Sequence, residues 1–472
     1  MDEILDRTKE LETKSVKSLL WLYAWPAVVS QIIASIYNIV DRIFIGQGVG
    51  PMAIAGLAIT LPLMNIIHAF GAMIGVGSSS RMSIVLGRKD IRWAEKILGN
   101  SLIFTIILSG VVMICNYMFM DGILSKFGAT AGTIQYAREY MLIVLPGMFL
   151  TTVTYNLTGL IRSSGYPTKS MLILAGGAIL NTILDPIFIF GLHWGIAGAA
   201  WATTISMTVT AILSIQHFVN KKSFIRFKMH AWALKGYIFK NITLIGLSPF
   251  LMNVAASAVV ALLNRQLLHY GGDLAVAAFG IANIFGSFFI LVFFGICQGM
   301  QPIAGYNYGA GHIRRLKQTY ILTTKVCILV GIIACVTACT IPKTLAGLFT
   351  SDSDLCQLAA TSIRYLTMMF PIIAFTIVNS NFFQSIDKPY IAIITSLSRQ
   401  VIFLLPFAYI IPELAKRMNY DGLTGLWWSF PVSDVIGAIL AAILLYTQRR
   451  VFSPDYKPVH RAPRKEYSED DK

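Results

Sequence analysis

The chain has 472 residues, 56% of them apolar and only 13% charged, about half the charge of an ordinary soluble domain. Its net charge of +15 is gathered into short clusters between apolar runs of about 20 residues or more, the length at which a helix crosses the hydrocarbon core of a bilayer. That distribution excludes a string of soluble domains, and it assigns the basic residues to membrane topology rather than to a nucleic-acid face.

In chain order, residues 1–17 form a charged segment (Asp2, Glu3, Asp6, Arg7, Lys9, Glu10, Glu12, Lys14 and Lys17) that leads straight into a long apolar run, so the first span is expected to be retained. Apolar runs then predict spans near 18–45, 52–84, 97–120, 139–161, 170–191, 195–218, 243–268, 274–304, 318–341, 362–386, 390–411 and 423–447. With the N-terminus inside, the inner segments collect the basic residues: Arg88, Lys89, Arg92 and Lys96; Lys221, Lys222, Arg226, Lys228, Lys235 and Lys240; and Arg449, Arg450, Lys457, Arg461, Arg464 and Lys465. Both termini are thus expected in the cytoplasm. The fold class is all-α integral membrane, with about twelve transmembrane helices in two pseudo-symmetric six-helix bundles at 18–219 and 243–448. A basic linker at 220–242 joins the bundles, and a basic, disordered tail follows at 449–472. Of the six cysteines, Cys327, Cys335 and Cys339 share one apolar segment and read as small core residues.

The halves repeat at an offset of about 222–225 residues. Pro26 corresponds to Pro249, Asp41-Arg42 to Asn264-Arg265, and Ala53, Ala55, Gly77 and Gly87 to Ala275, Ala277, Gly299 and Gly309. Farther on, Tyr140, Pro146 and Asn156 correspond to Tyr365, Pro371 and Asn381, and, after a further shift of two residues, Gly195-x-x-Gly198 to Gly422-x-x-Gly425. Each half has an even number of spans, so the repeat is parallel, about an axis along the membrane normal. Such duplication places a substrate path between the halves and permits alternating access by rocking one against the other.

Ionisable groups inside spans are costly and point to function by default. They are few: Asp41, Asp185, Arg399 and Asp434, with Arg81 and Lys325 near helix ends. Asp41 and Asp185 lie in spans that both run outward, each about five residues before the outer end, so they reach the same depth. Asn181 is one turn below Asp185 on the same face. Pro186 lacks an N–H and frees a carbonyl near residue 182, and Thr203 and Thr204 of the sixth span reach a similar depth. Two carboxyl groups, an amide, a hydroxyl and a spare carbonyl make an oxygen-rich nest suited to H⁺ or Na⁺. Taken singly, Asp41 could cap a loop beside Arg42 and Asp185 a helix end before Pro186. Arg399 and Asp434 lie in adjacent antiparallel spans at matching depths and form a candidate ion pair that either fixes packing or handles an ion. His68 reads as a satisfied core histidine. Tyr37, Met64, Phe149, Phe285, Gln301 and Asn381 are candidates to line an adaptable cleft. Neither H-E-x-x-H, G-K-[ST] nor G-x-S-x-G is present, so no enzymatic or ATP-binding motif is found.

Several of these residues also carry a resemblance. Pro26 with Asp41-x-x-Phe44-x-Gly46, Gly87-Arg88-Lys89-Asp90, Arg162-Ser163-x-Gly165-x-Pro167, Asn181-x-x-x-Asp185-Pro186, Gly195-x-x-Gly198-Ala199-Ala200-x-Ala202-Thr203, Gln298-Gly299-x-Gln301-Pro302 and Tyr306-Asn307-Tyr308-Gly309 resemble, in order and spacing, the multidrug and toxic compound extrusion (MATE) family over nearly the whole chain. The resemblance implies two six-helix bundles around a central cleft, and export of organic cations and drugs in exchange for H⁺ or Na⁺. It implies a first-half cation site at Asp41, Asn181, Asp185 and Thr203, and a gating role for Pro26 through bending of the first span. Acids that some members carry in spans 7 and 10 are absent, since span 7 has Asn264 opposite Asp41 and span 10 has no acid, while span 11 has Leu405 opposite Asp185. This departure points to the DinF- and MepA-like branch.

These readings predict a multi-pass antiporter of a bacterial inner membrane, monomeric, with no cofactor beyond the coupling H⁺ or Na⁺. Its partners are the lipid bilayer and small amphiphilic or cationic drugs. The alternative is a related flippase for a lipid-linked saccharide, which needs a strongly cationic cleft. A membrane enzyme or receptor is the rival from another class.

Overall fold

A computed structural model describes residues 10–130, 132–220 and 223–456. Among these residues every regular element is helical, as a bilayer demands of a chain that must satisfy its own backbone polar groups. The first half comprises α1 (Val16–Gly48), α2 (Pro51–Gly87), α3 (Ile91–Lys126), α4 (Ile134–Ser163), α5 (Pro167–Pro186) and α6 (Gly195–Val219). Their starts are marked by residues that satisfy or lack first-turn N–H groups. Ser15 accepts from the Ser18 N–H and Asp90 from that of Trp93, while Pro51 and Pro167 open α2 and α5.

The second half begins with one run of helical hydrogen bonding, Gly236–Gly309, interrupted at Gly272 with φ 65° and ψ −165°, a conformation open only to glycine. The interruption divides it into α7 (236–271) and α8 (273–309). Then come α9 (Ile313–Thr340), the short helix Pro342–Gly347, and α10, a pair of segments Ser353–Thr367 and Phe370–Ser385 bent by 46°. Last are α11 (Pro389–Arg417) and α12 (Gly422–Thr447). Ten helices are long and apolar enough to cross a membrane, or eleven with the bent pair. Counting α7 and α8 separately gives the expected twelve.

Three apolar clusters lie within the halves, two of them in the second, and a larger one occupies the seam between them, where Tyr23, Met73, Ile84, Met300 and Tyr306 are buried together. Backbones meet directly in the seam. A Cβ on Gly246 of α7 would stand 1.8 Å from the Met73 carbonyl oxygen of α2, and one on Gly309 of α8 would stand 2.0 Å from that of Ile84. These contacts fall toward the end of the molecule at which residues 10 and 456 and the loops after α2, α4, α6, α8 and α10 are gathered. It is called the basic end below.

Two segments are more firmly held than the sequence suggests. Much of the stretch expected as linker is fastened to α3, and α7 already starts at Gly236. Asn100 donates to the carbonyls of Ala231 and Ala233 and accepts from the Lys235 N–H, while buried Glu95 pairs with Lys228 and His230, both at 2.9 Å. Of the tail, residues 449–456 are described. Val451 is buried, and Phe452 stacks on Phe382 with centroids 5.6 Å apart. Two apolar side chains suffice to pin what the surrounding charge made look unstructured. Residues 457–472 and 1–9 lie outside the described residues.

A candidate cation site beside a cavity in the first half

Asp41 is carried on α1 and Asp185 on α5, helices that pack along each other. The two carboxyl groups come within hydrogen-bonding reach, Asp185 fully buried and Asp41 9% exposed. Two bare carboxylates do not hold such an approach without a cation between them. Asn181, one turn before Asp185, donates through Nδ2 to Asp185 Oδ1 and to Thr203 Oγ1 of α6, both at 3.3 Å. Asp41 Oδ1, Asp185 Oδ2 and Asn181 Oδ1 are buried without a donor among the described residues. Oxygen atoms in that state suit a proton or a hard cation.

Local structure aims these groups. Pro186 withholds the N–H that would serve the Thr182 carbonyl, and the chain continues as a π-helical turn, Ile187–Gly191, closed by the Leu192 N–H on the Ile187 carbonyl at 2.9 Å. Ile189 of this turn packs against Gly48 at the far end of α1 and Phe190 meets Phe44 edge-on, fixing α5 against α1 just beyond the acids. Of the two threonines, Thr203 faces Asn181, whereas Thr204 donates to the Ile143 carbonyl of α4. Tyr140 of α4, singled out in the sequence only as a repeat match, brings its hydroxyl close to Thr203.

Below the acids lies a cavity of about 210 Å³, whose wall includes Tyr37, His68, Tyr155, Asn181, Thr203 and Arg162. His68 therefore faces the cavity, its ring edge-on to Tyr155 with centroids 5.9 Å apart. Arg162 donates to Gln298 of α8 at 3.0 Å, so the cavity floor touches the second half. Neither Arg162 nor Gln298 was identifiable by depth, because an arginine in a last helical turn ordinarily serves the helix end.

Of the six cleft candidates, Tyr37 lines this cavity and the other five do not. Met64 packs into the first-half core and Phe149 near Gly110, while Phe285 meets Phe289 edge-on. Gln301 donates to Asn381 at 3.2 Å between α8 and α10. Arg399 and Asp434 are brought together at 3.3 Å, Asp434 3% exposed, with Arg399 in a π-helical stretch of α11, Ser398–Leu404. Pro26 lies buried within an unbroken α1, and Ser30 donates to its carbonyl at 2.8 Å.

The comparisons with known proteins agree with this architecture. The family model described as MatE matches residues 26–187 and 249–410, one stretch in each half. The multidrug export protein MepA of Staphylococcus aureus (strain MSSA476) is 27% identical over 440 residues, covering 93% of this chain and 95% of that protein. The protein of the same name from Staphylococcus haemolyticus (strain JCSC1435) is 26% identical over 446 residues, 94% of this chain and 96% of its own. Among solved structures, a transporter of the MOP superfamily from Pyrococcus furiosus superposes with a TM-score of 0.87 at 25% identity, covering 95% of this chain and 98% of its own. With both halves matched in order and the twelve-helix fold shared, the chain belongs to the MatE family.

Proposed function

We propose that this chain is a secondary multidrug exporter of a bacterial inner membrane, moving amphiphilic organic cations and drugs outward in exchange for inward H⁺ or Na⁺. The observation that carries the reading is the facing pair Asp41 and Asp185, joined through Asn181 to Thr203 on the wall of a cavity. The relatives named as multidrug export proteins support the same reading, and nothing among them favours the lipid-linked saccharide flippase. The basic end faces the cytoplasm, in keeping with the charge asymmetry, and the unit of function is the single chain.

The incoming cation neutralises the carboxyl pair, and so changes how closely α1 and α5 can approach at the far end. An ion shifts a conformational equilibrium only by its differential affinity for the two states. The pair provides that difference, because the cation is held tightly only where the carboxyl groups converge. Pro26 gives α1 a place to bend, since the carbonyl of Leu22 lacks its usual partner. Arg399 and Asp434 hold the packing of α11 on α12.

Proteoliposomes with separately imposed pH and Na⁺ gradients test the reading, with ethidium as cargo. One of the two gradients is expected to drive efflux. Asp41→Asn and Asp185→Asn should each reduce the driven rate by about tenfold or more, a coupling loss of ~1.4 kcal/mol or more. Full gradient-driven efflux in both variants would sink the coupling assignment.

A further inference from the structure

At the basic end a buried ion pair crosses from one half to the other. Arg81 of α2 donates through Nη1 to Asp387 Oδ2 at 3.2 Å, with side chains 6% and 7% exposed. Its Nη2 donates to the Tyr237 hydroxyl, at the start of α7, at 3.3 Å, and its guanidinium lies 5.9 Å from that ring's centroid. Asp387 stands in the loop between α10 and α11, so three segments converge on this pair. Arg88 lies close enough to both Arg81 and Asp387 to act on each. Lys388 follows in sequence, its ammonium bonded to Gln448 and 5.9 Å from the Tyr456 ring centroid. One carboxylate of the second half thus stands between two guanidinium groups of the first, while the neighbouring Lys388 is turned away onto Gln448 and Tyr456.

The backbone at Asp387 adds an independent observation. Its φ is +58°, in the left-handed region that disfavours side chains. At the repeat offset, Ser163 and Pro167 correspond to Ser385 and Pro389, and the residue matching Asp387 is Gly165, with φ +97°. The first half fills this turn with the residue its geometry favours. The second half fills it with an acid whose side chain reaches across the seam.

We propose that Asp387 is the anionic linchpin of a latch that closes the two halves at the basic end, and that the latch opens in every transport cycle. Removing the carboxylate does more than delete one ion pair, for it leaves the neighbouring Arg81 and Arg88 without the counter-charge that Asp387 brings to both. The backbone contacts at Gly246 and Gly309 seal the closed state, and the ion pair decides whether it is held. The proposal needs neither the drug cargo nor the coupling ion of the preceding section.

Its test therefore uses no substrate. Spin labels at exposed Arg92 and Lys317, one on each half at the basic end, report the distance between halves in the full-length protein in lipid nanodiscs. The parent protein is expected to give one dominant short distance. D387N, D387G and R81Q should each raise the ratio of a longer population to the short one by at least about tenfold. D387G separates latch from backbone, because glycine suits the turn: its thermal stability should match or exceed that of D387N while its seam opens as far. An unchanged distance distribution in D387G and R81Q overturns the proposal. So does opening in D387N alone, which would assign the effect to the turn. Failure of ethidium efflux in the parent protein would count against the export reading and leave this result standing.

Discussion

Tyr140 offers the sharpest test of how the cation site is assembled. Its ring is buried and its hydroxyl lies near Thr203, which accepts from Asn181, which in turn donates to Asp185. The chain of contacts runs from α4 through α6 to α5 and holds the ligand oxygens at one depth. Tyr140→Phe removes one hydroxyl and leaves volume and packing unchanged. A single buried neutral hydrogen bond contributes about 1 kcal/mol, so apparent affinity for the coupling ion should fall by about fivefold, less than for either acid variant, with the maximal driven rate largely preserved. The ion-concentration dependence of ethidium efflux measures both quantities. A loss as deep as that of Asp185→Asn would make Tyr140 a direct ligand rather than a support for Thr203.

Among the elements, the pairing of α2 with α7 depends on backbone contact more than on side chains. Gly246→Ala places a methyl group 1.8 Å from the Met73 carbonyl oxygen, a clash that only separation of the helices relieves. Overpacking of this kind costs about 1–3 kcal/mol, and it should appear as a lowered melting temperature in detergent with the helical content unchanged. Equal stability to the parent would mean that the seam is looser than its geometry implies. Depth counting along α1 and α5 located Asp41, Asp185 and Asn181 in the sequence, because a helix converts residue number into height at a fixed rise. It located Arg399 and Asp434 for the same reason. Height carries no information about azimuth, so it could not separate Tyr37, which lines the first-half cavity, from Met64, Phe149 and Phe285, which do not line it. The role of Asp387 was hidden differently. Its partner Arg81 is about three hundred residues away, and a loop acid beside a lysine looks like a solvated turn.

For the molecule as a whole, the scaffold is duplicated and its chemistry is not. Both halves carry a π-helical stretch in their fifth span, at Ile187–Gly191 and Ser398–Leu404, yet the two stretches serve different groups. In the first half the π turn follows the acid and locks α5 to α1. In the second it holds Arg399 against Asp434 of α12, and the position opposite Asp41 is Asn264. A site made by duplication alone would be restored by moving its acid to the equivalent position, so the combination Asp41→Asn with Asn264→Asp is informative. The second half lacks a carboxyl group opposite Asp185, since Leu405 stands there, and a lone acid on α7 cannot form the facing pair that binds the cation. The double variant should transport no better than Asp41→Asn alone under either gradient. Recovery to within about twofold of the parent rate would show that the halves are interchangeable and that the coupling asymmetry is an accident of sequence. Without recovery, the first half is the one that senses the ion, and the second half must respond through the seam and its latch.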